Sequence, residues 1–248
     1  MKTLFLFCLA TLCASAADRA ALDRIDSLDA SFRMMQCLKL TQEASGGSSV
    51  DFEILWRLVR AEVNVAEEAM DANDKATAED QINQALTTSE QLVELYPGRS
   101  MAHYYRALAL GRRALLAGGR EKVELSQGIE THALKAIELN PENGRAHGLL
   151  GRYYREMAHL PWLLRKVAET LYGNLPEGGD ELALNHLQRS SALMPDWVFA
   201  RYELAETYQV MGLKDQAAAQ FRSVLEMPET DHRDHLLKDE ARKALKNL

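Results

Sequence analysis

Histidine and acidic side chains are the residues of this sequence whose chemistry could include metal binding. His232 and His235 stand three residues apart, with Asp231 and Asp234 beside them. Two imidazoles and two carboxylates at this spacing could hold a divalent metal ion, but a solvated helix start has the same composition. None of the seven histidines lies in a His-Glu-x-x-His arrangement. We therefore predict a solvated helix terminus here, with no metal and no cofactor.

Motifs for covalent or phosphoryl chemistry are absent from the sequence. It contains no nucleophile-elbow serine, no glycine-rich phosphate loop and no pair of Cys-x-x-Cys segments. His103 and His147 occupy matching positions, six residues after Pro97 and Pro141 respectively, and we expect both rings to fill a helical core. The prediction is a protein that is not an enzyme.

Residues 200–227 carry the clearest structural pattern. An apolar stripe at helical spacing ends near Gly212, and a second one begins at Ala217. Small residues stand where the two helices of a hairpin must approach closely, while large ones such as Tyr208 and Phe221 fill the space between them. This pattern resembles a tetratricopeptide repeat, a helix–turn–helix unit of roughly 34 residues.

The same arrangement recurs upstream, where Pro97 and Pro141 each follow the end of a predicted helix. Only the interval from Pro195 to Pro228 is close to one standard repeat, so the earlier intervals contain insertions. The sequence therefore predicts an all-α, right-handed solenoid of tetratricopeptide-like hairpins, with about ten or eleven helices.

One surface of this solenoid is predicted to bind a partner. In such arrays, recurring positions in the first helix of each hairpin line the concave face. Counting from Ser100, Gly144 and Val198 places arginine and tyrosine side chains there. Arginine forks match carboxylates bidentately, and tyrosines supply rigid contact area. The predicted groove consists of Tyr104, Tyr105, Arg112, Arg145, Arg152, Arg155 and Tyr202.

The expected ligand of this groove is an acidic peptide segment or a free C-terminal carboxylate of a partner protein. The alternative is that the arginines pair with glutamates of the same surface or pack against an inserted segment.

A hydrophobic content of 47 % with 26 % charged residues is ordinary for a soluble globular protein. The net charge of −7 does not favour nucleic acid or anionic membranes as partners.

Residues 1–16 are of a different kind. Lys2 is followed by an apolar run over residues 4–12 and by a small-x-small sequence that ends at Ala16. The apolar run is too short to span a bilayer. We predict a signal peptide that is cleaved after Ala16 and exports the protein to a bacterial periplasm; the alternative is an uncleaved anchor helix. Cleavage would leave Cys37 without a partner for an internal disulfide.

Three parts are expected in the chain: the signal peptide over 1–16, an N-terminal helix and Gly/Ser linker over 17–49, and the repeat domain over 50–248. Asp51 is placed to cap the helix that begins there. An inserted helix near 160–173 interrupts the array, with an apolar stripe opposite its charged residues. We expect this stripe, formed by Leu164, Val167, Ala168 and Leu171, to pack on the interrupted hairpin. The alternative is that the helix lies on a membrane surface.

Three segments resemble a known family. They are DFEILWRLVRA at 51–61, KAIELNPENGRAHGLLGRYYREMAHLPWLLRKVAETLYG at 135–173, and the closing repeat. Together they resemble the regulator of microtubule dynamics family over roughly residues 45–247, and the Leu-Pro-Trp insertion is the most specific element. The resemblance implies tetratricopeptide-like repeats and no catalytic motif. The eukaryotic members of this family are associated with microtubules and organelle contacts. A protein with a bacterial signal peptide would not encounter microtubules.

These observations predict a non-catalytic, exported scaffold that binds a partner protein through its concave groove. The alternative is an envelope-associated accessory protein that contacts the membrane through the inserted helix. An enzyme is the third hypothesis.

Overall fold

The structure, a computed structural model, describes residues 16–46, 51–173, 175 and 178–248. The described residues form twelve helices and no strand. In chain order they are α1 (Ala16–Ala30), α2 (Met34–Ser45), α3 (Phe52–Asp71), α4 (Lys75–Leu95), α5 (Ser100–Leu116), α6 (Gly119–Leu139), α7 (Gly144–Ala158), α8 (Trp162–Tyr172), α9 (Asp180–Leu193), α10 (Val198–Val210), α11 (Lys214–Glu226) and α12 (Asp234–Asn247). The predicted signal peptide lies outside the described residues except for Ala16, and so do residues 47–50 of the predicted linker.

Local sequence signals account for many of the helix ends. The Asp51 carboxylate accepts a hydrogen bond of 3.1 Å from the amide of Glu53, as predicted, and Asp74 and Asn143 cap α4 and α7 in the same way. These side chains satisfy backbone donors that have no partner inside the helix. At the end of α10, Gly212 adopts a φ of +75°, a conformation that glycine tolerates without strain.

Four hairpins form the array: α3 with α4, α5 with α6, α7 with α9, and α10 with α11. Their apolar faces share buried clusters that run from one hairpin to the next. Two glycines let α7 approach its neighbours closely. A Cβ on Gly151 would lie 2.5 Å from Cγ of Leu187, and one on Gly148 would lie 2.7 Å from the Trp197 ring. The predicted all-α solenoid of helical hairpins is confirmed.

The N-terminal region differs from the single helix that its apolar spacing predicts. Helix α1 ends at Ala30 and α2 begins at Met34, because Phe32 between them takes a φ of +57°. The apolar periodicity continues across this break, so the pattern alone does not reveal it. This additional helix brings the number of described helices to twelve.

Helix α8 has the opposite orientation to the predicted one. Of its apolar stripe, Leu164, Val167 and Leu171 are exposed, and only Ala168 is partly buried. The inward side instead carries Arg165, whose guanidinium donates a 2.7 Å hydrogen bond to the carbonyl of Met157. That carbonyl belongs to the last turn of α7, where helix carbonyls lack intrahelical partners. Arg165 therefore lies against the end of α7, while most of the apolar stripe of α8 faces outward.

No helix in the described ranges is both long and apolar enough to cross a membrane.

Candidate functional site

A cavity of about 500 Å³ lies on the concave side of the array. Helices α3, α5, α7 and α10 each contribute side chains to it, and residues of α1, α2, α12 and the preceding loop complete its lining. The structure brings all seven predicted groove residues together around this cavity: Tyr104, Tyr105, Arg112, Arg145, Arg152, Arg155 and Tyr202. The helical register predicted from the repeats therefore places them on one surface.

Arg112 forms an ion pair with Glu67, a carboxylate of α3 that is only 5 % exposed. Two residues of the C-terminal loop also approach Glu67: Nε2 of His232 at 3.3 Å and Nη1 of Arg233 at 3.6 Å. Burial by itself would raise the pKa of Glu67. The charge of Arg112, joined by those of His232 and Arg233, outweighs burial and lowers this pKa to about 2. Glu67 is therefore a buried, fully ionised anchor.

Arg152 and Arg155 converge on Glu203 of α10, which is 2 % exposed. Arg155 forms an ion pair with this carboxylate, with 2.5 Å between Nη2 and Oε2. Arg155 also donates a 2.9 Å hydrogen bond to the backbone carbonyl of Glu203. Arg152 lies 3.6 Å from the Glu203 carboxylate and pairs with Glu156 at 2.6 Å. The charge of Glu203 is the main reason that the pKa of Arg152 is raised. For these two arginines and Arg112, pairing with neighbouring glutamates, the alternative considered above, is what the structure shows.

Arg145 is the exception among the four predicted arginines. It forms no ion pair with a carboxylate in the described part of the chain; instead its guanidinium lies 5.2 Å from the centroid of the Trp197 ring. Burial lowers the pKa of Arg145, but the neighbouring Tyr104 and Tyr105 outweigh this, and the net pKa is raised. Arg145 thus contributes a positive charge to the cavity that no direct carboxylate partner neutralises.

The tyrosines of the groove are more deeply packed than a contact surface requires. Tyr104 and Tyr105 are buried and meet edge to face with ring centroids 4.9 Å apart, and Tyr105 also stacks on Trp56. Tyr202 packs against Phe221 at 5.8 Å. Burial raises the pKa of Tyr104, and its hydroxyl oxygen accepts a hydrogen bond from the Arg145 guanidinium.

The prediction of a solvated helix terminus at His232 is wrong. The ring is buried, and its Nδ1 lies 3.1 Å from the carboxylate of Asp231. Burial lowers the pKa of His232, but Asp231 and Glu67 outweigh it and raise that pKa to about 10. His232 is therefore cationic at neutral pH and part of the cavity lining, whereas His235 is exposed as predicted.

Sequence reasoning missed Glu67 and the loop residues that complete the acidic side of the site. Glu67 follows Val63 by four positions and so shares its buried helical face, which is a signal that could have identified it. Glu203 follows Tyr202 directly, and the count from Val198 places both on the concave face. The loop residues Asp231 to Arg233 carry no comparable signal, because their place in the cavity depends on how distant helices pack.

His103 and His147 are buried as predicted, and each makes a hydrogen-bonded pair that was not predicted. Nδ1 of His103 lies 3.0 Å from Nδ1 of His132, and Nδ1 of His147 lies 2.9 Å from that of His186. The Nε2 atoms of His103 and His147 contact the carbonyl oxygens of Pro97 and Pro141. Since a carbonyl only accepts, Nε2 carries the proton and Nδ1 accepts from the second ring. Both pairs are structural contacts between the two helices of a hairpin.

The array of helical hairpins around a charged concave cavity defines the class: a tetratricopeptide-like protein, a fold that serves as a protein-interaction scaffold and is typically non-catalytic. The chain belongs to the Regulator of microtubule dynamics protein 1-3 family, whose model matches residues 17–248. Both the predicted family and the predicted fold are thereby confirmed.

Two relatives agree with this assignment. Regulator of microtubule dynamics protein 1 of Bos taurus is 27 % identical over 201 residues, which cover 81 % of this chain and 63 % of that protein. Regulator of microtubule dynamics protein 3 of Bos taurus is 30 % identical over 201 residues, covering 79 % of this chain and 41 % of that protein. The chain therefore spans less than two thirds of the length of either relative.

The crystal structure of a thermophilic tetratricopeptide-repeat protein of Thermus thermophilus superposes with a TM-score of 0.66 at 23 % identity. The match covers 92 % of this chain and 98 % of that one. At this level of identity the similarity shows the fold alone.

Proposed function

We propose that this protein is a non-catalytic scaffold that binds an acidic segment of a partner protein in its concave cavity. The observation that carries the proposal is Arg145, a cation without a carboxylate partner among the described residues, in a cavity whose other predicted arginines are paired. An incoming carboxylate would complete this pair, and charge-assisted hydrogen bonds to a guanidinium are among the stronger ones in proteins.

The surrounding groups suit this role. The Trp197 ring beside the guanidinium and the buried Tyr104, which accepts a hydrogen bond from it, restrict the arginine without neutralising it. The ion pairs of Glu67 and Glu203 hold the other arginines in place, because breaking a buried pair would leave an uncompensated charge. Those arginines therefore shape the cavity, while Arg145 remains available to a ligand.

The proposal is tested with two capped octapeptides, (Gly-Glu)4 and (Gly-Gln)4, titrated calorimetrically into the protein at low salt. We expect binding of the glutamate peptide alone and a loss of about tenfold or more in affinity for Arg145→Ala, the value of one charged hydrogen bond. Arg242→Ala is the matched control, since it removes an exposed arginine of α12 outside the cavity. Equal binding of both peptides, or unchanged affinity of the Arg145 variant, would refute the proposal.

A second function, contact with a membrane, is favoured by one observation on α8. Its Trp162, Leu163 and Leu164 are 74 %, 58 % and 57 % exposed, and Val167 and Leu171 extend the same apolar surface. Apolar side chains on one side of a short helix, with a tryptophan at its start, are typical of helices that lie in the membrane interface.

Flotation with phosphatidylcholine vesicles tests this second function. Trp162→Ala combined with Leu163→Glu should abolish flotation, whereas Leu95→Glu, at an exposed leucine of α4, should leave it unchanged. Absence of flotation for the unmodified protein would exclude the membrane contact.

The proposed place of action, the periplasm, is tested by sequencing the N-terminus of the mature protein in an envelope fraction: a start at Ala17 is expected.

A further inference from the structure

The protein's own C-terminal segment lies at the cavity. Thr230, Asp231, His232 and Arg233 line the same cavity as Arg145. This segment connects α11 to α12, and the side chain of Arg233 reaches Asp71 at the end of α3 with an Nη2–Oδ1 distance of 2.9 Å. Residues 228–233, called the C-terminal strap below, thus bridge the last hairpin and the first one.

Two sets of contacts give the strap a fixed shape and position. The carboxylate of Asp234 accepts hydrogen bonds from the amides of Thr230 and Asp231 at 2.8 and 2.9 Å, which forms a tight turn. The cationic ring of His232 lies 3.3 Å from the buried carboxylate of Glu67. The strap is therefore held by its positive residues on the acidic side of the cavity.

The acidic residues of the strap have the chemistry expected of the ligand. Its sequence from Pro228 is Pro-Glu-Thr-Asp, with carboxylates at Glu229 and Asp231. Asp231 lines the cavity without forming an ion pair to Arg145, yet its negative charge contributes to the raised pKa of that arginine. The Asp231 carboxylate pairs with the His232 ring at 3.1 Å, so an acidic group of the chain itself already occupies the cavity that contains Arg145.

We propose that the C-terminal strap is an internal substitute for the partner's acidic segment and competes with it for Arg145. This inference rests on the proposed function of the cavity and adds its regulation: a partner binds by displacing Asp231. It also specifies the ligand as a short extended segment with two acidic residues separated by one other residue, as in Glu-Thr-Asp.

The contacts that oppose displacement are unequal. The pair between Arg233 and Asp71 is about one third exposed on both sides, and ion pairs this exposed contribute little to stability. Glu67, in contrast, keeps Arg112 as a buried partner when the strap leaves. Release of the strap therefore breaks the buried contact between His232 and Glu67 but leaves that carboxylate with Arg112 as a counter-ion.

The test uses a fluorescent, capped heptapeptide with the sequence of residues 226–232, Glu-Met-Pro-Glu-Thr-Asp-His, and measures its binding by anisotropy. We expect at least tenfold tighter binding to Asp231→Asn than to the unmodified protein, because the competing charge is removed. Asp71→Asn, which weakens the strap from outside the cavity, should bind a few-fold tighter. Asp239→Asn removes an exposed carboxylate of α12 and should match the unmodified protein.

Two results would overturn the inference. Equal affinity of all four proteins for the heptapeptide would show that the strap does not compete. Failure of every variant to bind it would show that the strap sequence does not resemble the ligand. Either result leaves the proposed function to the octapeptide titration and its dependence on Arg145, so that the two failures can be told apart. Circular dichroism checks that each variant is folded. If Asp231→Asn does not fold, Asp71→Asn still tests the inference.

Discussion

Arg233 and Asp71 lie 162 positions apart in the chain, and their side chains form an ion pair with a 2.9 Å contact. Repeats of a solenoid ordinarily contact only their neighbours, so that stability is a sum of local terms. Here the segment after the last hairpin returns to α3, and His232 adds a second contact at Glu67. The concave side is therefore lined by both ends of the array as well as by its repeats.

The buried carboxyl of Glu62 predicts that the protein loses stability as the pH rises. This carboxyl is 3 % exposed between α3 and α4, and it accepts a hydrogen bond from Thr88. Burial raises its pKa to about 8, so the folded state binds more protons than the unfolded state between about pH 4.5 and pH 8. The unfolding free energy should fall as pH rises through this window, by on the order of 4 kcal/mol.

Urea unfolding at pH 5 and pH 9 measures this effect. Glu62→Gln should remove most of the difference between the two pH values, since an amide does not ionise. Glu94→Gln, at an exposed position of α4, should retain it. The same pH difference in both variants would mean that Glu62 is solvated.

The histidine pairs predict a loss of stability in acid. Burial, and then the neighbouring His103 or His147, lowers the pKa values of His132 and His186 to about 4. A lowered pKa means that the unfolded state binds more protons, so stability present above about pH 6.5 is lost as pH falls towards 4.

Asparagine in place of His132 or His186 has an amide N–H close to where the ring Nδ1–H was, so it can still donate a hydrogen bond, but it does not titrate. The double variant His132→Asn with His186→Asn should lose less unfolding free energy between pH 7 and pH 4.5 than the unmodified protein. The difference should be about 2 kcal/mol, which is less than half of what the two full shifts would give, because both rings are partly exposed to solvent. His235→Asn, at an exposed ring, serves as the control. Imidazole resonances that titrate near pH 6.5 in the folded protein for His132 and His186 would contradict the assignment.

Gly151 predicts a strong effect of a single methyl group. An added Cβ would lie 2.5 Å from Cγ of Leu187 and 3.1 Å from the carbonyl oxygen of Ala183, so α7 and α9 must move apart. Gly151→Ala should destabilise by about 1–3 kcal/mol, as overpacking of a core does. At Gly111 of α5 the nearest atom lies 4.0 Å away, so Gly111→Ala should stabilise by about 0.5–1 kcal/mol. Thermal unfolding measures both, and shifts of the same sign would disprove the close approach of α7 to α9.

The ion pairs of Glu203 with Arg152 and Arg155 predict that replacing this one carboxylate lowers the stability of the protein. Glu203→Gln leaves Arg152 and Arg155 without their shared buried counter-charge, which should cost about 3 kcal/mol or more and lower Tm by roughly 6 °C or more. Glu206→Gln, on the next turn of α10, lacks these ion pairs and should change Tm little. A Tm for Glu203→Gln equal to that of the unmodified protein would show that the two arginines are solvated.

Much of the fold follows from local signals. Apolar residues at helical spacing predict most of the helices of the hairpins, and Asp51 marks the start of α3 by a cap that depends only on residues two or three positions away. The shared surface of Arg145 and Arg152 follows from the geometry of one helix, in which positions seven apart return to the same side. These are properties that a segment carries by itself.

The tertiary structure decided which charges are neutralised and which are free. Arg112 meets a glutamate 45 positions away, and Arg155 meets Glu203, 48 positions away, whereas Arg145 meets the Trp197 ring instead. The outward apolar side of α8 and the burial of His232 likewise depend on a carbonyl and a carboxylate that other helices supply. Helix periodicity specifies the side of a helix on which a residue lies, but the partner on that side is set by the packing of elements distant in sequence.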